Sequence, residues 1–303
     1  MRKWLRRLGY AAGGLFGLVL VAACAIYAAS ELRLRRVYHV QGEKVALQSD
    51  AATLAHGQHL ATAIGKCTEC HGDNLGGKLF MDAGPLGVLY ASNLTGGRGG
   101  ILASYSDQQL EAAIRHGVRA DGHALKIMPS DDYNRFTDAD VGALIAYLRH
   151  LPAVDNDVPQ SHVGPLGRVL YLKGDLPLLP IDRIDNAAPH RAVAAGPTRE
   201  YGEYLAYVGG CAGCHGRTLA GGLVNGPPGT PASRNLTPDP TTGIGKWSEA
   251  DFDRALRTGK RPDGSAITDA MPWKLAAGMT DEEMHALWLY LRSIPPRPFG
   301  QQL

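Results

Sequence analysis

The sequence lacks the motifs that mark several common catalytic sites. It contains no G-x-S-x-G, no H-E-x-x-H and no dinucleotide-binding fingerprint, so it gives no sign of a serine hydrolase, a zinc protease or a nucleotide-dependent dehydrogenase. It also lacks any strand-like alternation of apolar and polar residues of useful length. These absences point away from enzymes of those classes and towards a fold built from helices.

Cysteine is also scarce, with only five residues in a chain of 303. Four of the five form two C-x-x-C-H motifs, CTECH at residues 67–71 and CAGCH at residues 211–215. This motif is typical of c-type haem attachment, in which two thiols form thioethers with the haem vinyl groups and the His binds the iron. The predicted attachment residues are Cys67, Cys70, His71, Cys211, Cys214 and His215.

Both motifs lie inside a long internal repeat, whose halves agree at offsets of 142 to 145 residues. A zinc site or a thioredoxin-like redox pair could explain a C-x-x-C pair, but neither explains the His after each second Cys or the repeat. The nearly constant offset indicates the tandem duplication of one domain of about 100 residues. The matching segments are 57–60 with 202–205, 93–95 with 235–237, 105–122 with 247–264, and 137–152 with 280–295.

Each half of the repeat has the spacing and the end signals of helices. Ser106 with Gln109 three residues later predicts a capped helix start, and Gly117 predicts the end of that helix. The last helix should begin at Thr137 in the first half and at Thr280 in the second, and a proline follows each. We therefore predict an all-α protein with two small tandem domains and an N-terminal transmembrane helix.

The predicted organisation is a membrane anchor over residues 1–36, a first haem domain over residues 50–155 and a second over residues 196–298. Residues 156–195, between the domains, are rich in Pro and Gly. This segment is either a linker or a strap packed across both domains. The apolar residues 176–180 favour the strap, because a free linker would be more polar.

The long hydrophobic run lies near the N-terminus, where residues 8–29 form an apolar stretch of 22 residues after four basic residues. Such a helix can cross a hydrocarbon core roughly 30 Å thick, and the basic residues favour a cytoplasmic N-terminus. We expect a single-pass anchor in the bacterial inner membrane with the haem domains in the periplasm, where c-type cytochromes mature. The alternatives are lipid on Cys24 or a signal peptide cleaved near Ala28 or Ser30.

Charge is distributed unevenly along the chain. Residues 1–36 hold seven of the 31 Lys and Arg but only one of the 29 Asp and Glu, so the remainder has four more acidic than basic side chains. A nucleic-acid partner therefore has no support. Arg115 and Arg257 match in the repeat, but a solvated helix face would explain them as easily as a functional role.

Each half also contains one methionine that fits the sixth iron ligand. Met128 and Met271 each precede a Pro and lie 57 and 56 residues after their motif His. A thioether ligand raises the reduction potential, as expected for an electron carrier. With both axial positions filled, the iron has no open site for peroxide, oxygen or nitrite, which argues against catalysis. The predicted iron ligands are His71, Met128, His215 and Met271.

Further residues are expected to shape the haem pockets. Asn93 and Asn235 lie in matching Asn-Leu-Thr loops and are predicted to order the pockets through hydrogen bonds. Each motif His should also have its Nδ1–H held by a backbone carbonyl. We expect that carbonyl near Pro85 in the first half, and at Pro227 or Pro228 in the second.

Four segments of the second half carry a family resemblance: NLTPD at 235–239, TGIGKWS at 242–248, AMP at 270–272 and YLRSIP at 290–295. They resemble the cytochrome c subunits of membrane-bound periplasmic dehydrogenases for alcohols, aldehydes and gluconate. The resemblance implies two class I-like cytochrome c domains that carry electrons from a dehydrogenase catalytic subunit to quinone or a terminal oxidase. Those subunits usually hold three haems, whereas this chain has two motifs.

The expected function is electron transfer without catalysis. We predict a dihaem c-type cytochrome with two covalently bound haems c, which relays single electrons between redox partners at the membrane. One alternative is the anchored dihaem subunit of a haem–copper oxidase, since one span followed by two cytochrome domains fits that plan. A dihaem peroxidase is a third interpretation, and it would require Met128 or Met271 to leave the iron on reduction.

Overall fold

Helices make up most of the structure, a computed structural model that describes residues 2–224 and 229–302. The long first helix is α1 (Arg2–Leu34), and α7 (Pro165–Lys173) lies between the two halves of the repeat. The first half contains α2 (Ala51–His59), α3 (Cys67–His71), α4 (Asp107–His116), α5 (Ser130–Tyr133) and α6 (Asp138–Arg149). The second half contains α8 (Arg199–Val208), α9 (Cys211–His215), α10 (Glu249–Thr258), α11 (Trp273–Ala276) and α12 (Asp281–Ser293). The order of helices is therefore the same in both halves.

The helix ends predicted from the sequence are confirmed by their hydrogen bonds. At the start of α4, the Gln109 amide N–H donates to Ser106 Oγ at 3.2 Å, and the Ser106 amide N–H donates to Gln109 Oε1 at 2.9 Å. Gly117 ends the helix in a left-handed conformation with a φ of 65°, which glycine adopts without a steric penalty. Thr137 and Thr280 cap the starts of α6 and α12.

The two halves share one apolar core. In the first half α2 packs against α6, and the matching helices α8 and α12 pack against each other in the second. Across the halves, α5 contacts α8, and α11 contacts the π-helical turn Leu60–Ile64 that follows α2. Phe136 of the first half and Leu291 of the second are each 1% exposed in this core. Because each such side chain contributes about 2 kcal/mol on burial, the shared core holds the halves in one arrangement.

A small antiparallel sheet departs from the all-helical expectation. Its strands are β1 (Lys78–Asp82), β2 (Gly87–Ala91) and β3 (His162–Val163), in the spatial order β1-β2-β3. β1 is irregular between Leu79 and Met81 and mostly exposed, so it lacks the alternation that would reveal a strand. In the other pairing Gly87 lies opposite Val163. The all-α prediction is correct for the main architecture but misses this sheet, which a strand from between the two halves completes.

The connector, residues 156–195, is packed over its apolar part. Leu178 and Leu179 are 2% and 1% exposed, in a small core that also contains part of α7. The amide N–H of Ile127 donates to the carbonyl oxygen of Leu178 at 2.9 Å. The connector therefore contacts the first half at the residue directly before Met128.

Helix α1 is exposed over most of its length and attached to the rest of the chain near its C-terminal end. From Lys3 to Leu34 it is long enough, and with a mean hydropathy of 2.1 apolar enough, to cross a membrane. Arg168 of α7 forms an ion pair with Glu31 at 2.8 Å and donates to Ser30 Oγ at 2.8 Å. The helix is thus a candidate membrane anchor whose end is tied to α7.

Candidate haem sites

The first C-x-x-C-H motif forms α3, a helix of five residues. Lys66 precedes it in a left-handed conformation with a φ of 51°, and Cys67 and Cys70 share one face of the helix because they are three residues apart. Neither is in a disulfide. Burial raises the pKa of Cys67 to about 11 and that of Cys70 to about 12. Both thiols are therefore neutral near pH 7, which suits a thioether more than a zinc thiolate.

The second motif forms α9 with the same geometry. Gly210 precedes it in a left-handed conformation with a φ of 69°, and burial raises the pKa of Cys211. A cleft of about 400 Å³ opens beside this helix, lined by Ala212, Gly216, Arg217, Leu223 and Gln302. Within residues 2–224 and 229–302, the one group of His, Cys, Asp and Glu atoms with the spacing of metal ligands includes neither motif. The donors present therefore fit haem attachment at both motifs better than zinc.

The backbone holds both motif histidines in the same way. The ring Nδ1–H of His71 donates to the carbonyl oxygen of Ser92 at 2.7 Å, and that of His215 donates to the carbonyl oxygen of Arg234 at 2.6 Å. These bonds leave Nε2 as the nitrogen with a free lone pair. Burial lowers the pKa of both rings, although the carbonyl contacts raise it in part. Each ring is thus a neutral imidazole held in one orientation, as an iron ligand requires.

The two carbonyls are not those expected from the sequence. A carbonyl near Pro85 was the expectation for the first His, but that carbonyl belongs to Ser92. Pro227 and Pro228 lie outside the described residues, and the carbonyl at the second His is that of Arg234. Ser92 and Arg234 each come directly before a repeated Asn-Leu-Thr. The repeat therefore contained the signal, whereas the prolines were chosen only because they stiffen loops.

Asn93 and Asn235 fix the loops that supply these carbonyls. Asn93 Oδ1 accepts hydrogen bonds from the Thr95 amide at 2.9 Å and from Thr95 Oγ1 at 2.8 Å, and its Nδ2 donates to the carbonyl oxygen of Val154 at 2.7 Å. Asn235 makes the same bonds to Thr237, and its Nδ2 also donates to a carbonyl oxygen at 2.7 Å. Both side chains are buried. Their predicted role in the pockets stays a prediction that these contacts support.

Met128 and Met271 occupy matching places in the fold. Each is followed by a Pro with a ψ of 51° that directly precedes a short helix, α5 or α11. Each methionine carbonyl accepts a hydrogen bond from the amide two residues later. Both side chains are half-buried against the shared core, which Cys67 and Cys211 also contact. The structure thus brings each methionine to the core that its motif borders, and its role as a ligand stays a prediction.

The two motifs lie close to each other across the boundary between the halves. Lys66, which precedes the first motif, donates from Nζ to the carbonyl oxygen of Gly209 at 2.7 Å. Gly209 lies two residues before Cys211, so this bond links the chain segments at the starts of both motifs. Nearby, the Arg135 guanidinium lies 3.4 Å from the ring centroid of Tyr207. Sequence reasoning missed these contacts because none of the residues has an equivalent polar partner in the repeat.

Two matching carboxylates also join the halves. Asp140, at the start of α6, accepts hydrogen bonds from His56 at 2.6 Å and from the Tyr204 hydroxyl of the second half. Glu283, at the equivalent place in α12, contacts His59 of the first half at 2.9 Å. Each carboxylate therefore reaches across the boundary to the helix that leads into the other motif.

Arg115 is not on a solvated helix face, so that explanation is wrong for the first half. Its side chain is 0% exposed, and it contacts Glu111 at 3.1 Å and Asp138 at 2.7 Å. Its guanidinium also donates to the carbonyl oxygen of Phe136 at 2.6 Å. At the matching position the Arg257 side chain is 27% exposed. The Arg therefore ties α4 to the start of α6 in a buried site.

Comparison with known families matches both halves. Residues 52–148 match the family model described as cytochrome c oxidase, cbb3-type, subunit III, and residues 200–295 match the model described as cytochrome c. The chain contains two cytochrome c domains. Each domain has its own C-x-x-C-H motif, so this dihaem cytochrome holds two covalently bound haems c, through the cysteine and histidine side chains of α3 and α9.

Three relatives of the dihaem cytochrome are cytochrome subunits. It is 31% identical over 290 residues to the alcohol dehydrogenase (quinone) cytochrome c subunit of Gluconacetobacter polyoxogenes, covering 84% of this chain and 58% of the relative. The fructose dehydrogenase cytochrome subunit of Gluconobacter japonicus is 29% identical over 81% of this chain and 53% of its own. The gluconate 2-dehydrogenase cytochrome c subunit of Pantoea cypripedii is 47% identical over 29% of this chain and 21% of its own. The dihaem cytochrome thus spans little more than half the length of the first two.

Proposed function

We propose that the dihaem cytochrome is a membrane-anchored electron carrier that passes single electrons from a dehydrogenase catalytic subunit to quinone or a terminal oxidase. The observation that carries this proposal is the duplicated site: in each half, a buried neutral motif His is oriented by a backbone carbonyl, and a Met-Pro pair borders the same core. A second copy of the same ligand set fits relay better than two different chemistries.

The residues assigned to each haem follow from this site. Cys67 and Cys70 form the thioethers in the first domain, and His71 Nε2 and Met128 Sδ are the iron ligands. In the second domain the same roles belong to Cys211, Cys214, His215 and Met271. Each bound haem supplies reversible one-electron oxidation and reduction. The proposed domains are residues 50–155 and 196–298, and the matched family segments lie within both.

The proposed role does not include catalysis. The His and Met of each domain fill both axial positions, and a haem enzyme needs a position that its substrate can take. The relatives with known names are cytochrome subunits of dehydrogenases, in which the substrate chemistry belongs to a separate subunit by our proposal. The protein chain itself therefore binds, orients and shields the haems.

The proposed location is the periplasmic face of the inner membrane, with α1 as an uncleaved anchor. Four basic residues precede the apolar stretch, which favours a cytoplasmic N-terminus. The ion pair between Glu31 and Arg168 ties the end of α1 to α7, which supports a haem region held close to the membrane surface. Added protease should digest the haem domains in spheroplasts and spare them in inverted vesicles. The reverse pattern would contradict this orientation.

Gentle solubilisation of the native membrane tests the proposed partner. A tagged, full-length dihaem cytochrome should be recovered with a dehydrogenase catalytic subunit, and the substrate of that subunit should reduce both haems. Variants in which Cys67 or Cys211 is replaced by Ala serve as matched controls, since each should leave the partner bound and halve the reducible haem. Recovery of the chain alone, without electron transfer from any dehydrogenase, would contradict the partner assignment.

A second candidate is the anchored dihaem subunit of a haem–copper oxidase. The match of residues 52–148 to subunit III of cbb3-type oxidases favours it. The two candidates share the electron-carrier chemistry and differ in the partner. Recovery with a copper-containing integral membrane protein, in place of a dehydrogenase, would select this second function.

A further inference from the structure

Three potential metal ligands meet where α4 contacts the connector. Glu111 and His116 belong to α4, His190 belongs to the connector, and one ligand atom of each lies within 4.8 Å of the other two. Glu111 and His116 are 0% and 4% exposed, and His190 is half-buried. The imidazole rings have centroids 5.9 Å apart and are inclined at 67°. One carboxylate and two imidazoles therefore converge in a buried place that neither haem motif uses.

His116 is held in the tautomer that a metal requires. Its ring Nδ1–H donates to Asn186 Oδ1 at 2.7 Å, which leaves the lone pair on Nε2. That Nε2 is buried, has no hydrogen-bond partner, and lies 3.8 Å from Glu111 Oε1. A buried polar atom without a partner costs about 1–3 kcal/mol. A metal ion between His116 and Glu111 would give this atom a partner.

The surroundings carry excess negative charge. Arg115 is the one cation that directly contacts Glu111, and it also contacts Asp138 at 2.7 Å and Glu43 at 3.8 Å. Three carboxylates thus face one guanidinium, and a divalent cation would offset the difference. Burial, with the charge of Arg115, lowers the pKa of His190, so this ring is neutral near pH 7. Neutral imidazole is the form that binds metal.

We propose that Glu111, His116 and His190 bind one divalent transition-metal ion of the Zn²⁺ type, which fastens the connector to α4. Two imidazole nitrogens and one carboxylate suit zinc, whereas magnesium and calcium prefer oxygen ligands alone. The fourth position is left for water. The second domain has Asp253 and Thr258 at the positions that match Glu111 and His116. The site therefore belongs to the first domain only.

Zinc titration of the haem-loaded, full-length protein tests the site. The purified protein is treated with EDTA, desalted and titrated calorimetrically with zinc chloride, and one zinc per chain is expected. Replacing His116 or His190 with Ala should weaken binding by roughly 100-fold or more, and Asn186→Ala, which acts through His116, by about 10- to 100-fold. The matched control is His162→Ala, an exposed His on β3, which should leave the affinity unchanged.

Two further measurements keep the proposal testable if a variant folds poorly. The haem absorption spectrum reports whether His116→Ala or His190→Ala still holds both haems. Zinc-edge X-ray absorption of the wild-type protein needs no variant, and it should show two imidazole ligands and no sulfur. Absence of zinc binding in the wild type, equal affinity in His190→Ala, or sulfur ligands at the zinc would overturn the proposal.

Discussion

Arg115 and Arg257 occupy the same position in the two domains and make the same kinds of contact. Each forms ion pairs with an acidic residue one turn earlier in its helix and with the first residue of the last helix. The first is completely buried, whereas the side chain of the second is 27% exposed and its partner Asp281 is fully exposed. One inherited arrangement thus has two different environments.

The difference comes from segments outside the repeat. The backbone N–H of Glu43 donates to Glu111 Oε2 at 3.0 Å, so the chain that follows α1 covers α4 on one side. The connector covers another side, where Asn186 bonds His116. These segments pack onto the first domain, and they turn a surface ion pair into a buried one. Duplication therefore preserved the Arg, and the added segments changed its energetic role.

Removing the two arginines should give the largest contrast between the domains. Arg115→Met leaves Glu111 buried without its charge partner, and we expect a loss of about 3–5 kcal/mol in the free energy of unfolding. Arg257→Met removes a partly solvated network, and we expect a loss of about 1 kcal/mol. Denaturant unfolding of the haem-loaded protein, followed by circular dichroism, measures both. Equal losses would contradict the contrast in burial.

This contrast also shows where sequence reasoning stops. The haem motifs, the duplication and the Ser106 cap were all predicted, because their signals lie within a few residues or repeat at a fixed offset. The burial of Arg115 depends on Glu43, which is 72 residues away in the chain. No local pattern records such a contact. The same reason explains why the small sheet was missed, since His162 pairs with Val88 across a long loop.

The pockets were predicted only in part. The type of partner for each motif His, a backbone carbonyl, follows from ligand chemistry. The identity of that carbonyl depends on how the loop before Asn93 folds, and Asn93 itself is fixed by a carbonyl of Val154, 61 residues later. A fixed offset relates Ser92 to Arg234, so alignment of the two halves could have found the pair without a structure.

The carboxylates that join the domains should separate in a smaller effect. The Tyr204 hydroxyl donates to Asp140 in a buried place, whereas the Tyr201 hydroxyl reaches Glu283 only at 3.5 Å. Tyr204→Phe should therefore lower the free energy of unfolding by about 1.5–3 kcal/mol, and Tyr201→Phe by less than about 0.5 kcal/mol. The thermal midpoints of the two variants measure this. Equal midpoints would show that the boundary is symmetric.

The smallest expected effect is a dependence on pH in the first domain. The hydrogen bond to Asp140 raises the pKa of His56 above 6.5, although burial lowers it in part. The stabilisation is therefore complete below pH 6.5 and is lost as the pH rises through the higher folded value. Because His56 is largely exposed, we expect less than about 1 kcal/mol.

The control for that prediction is His56→Ala. The position that matches His56 in the second domain is Tyr201, which does not ionise near neutral pH. Unfolding measured between pH 6 and 9 should show a slope in the wild-type protein that is reduced in His56→Ala. An unchanged slope would assign the dependence to other groups.

Carbon monoxide titration of the reduced, full-length wild-type protein tests the central claim most directly. If His and Met fill both axial positions in each domain, the reduced protein should bind no carbon monoxide, and Met128→Ala or Met271→Ala should each bind one equivalent per chain. Uptake of one or two equivalents by the wild-type protein would show an open coordination position and contradict the assignment of both methionines as ligands.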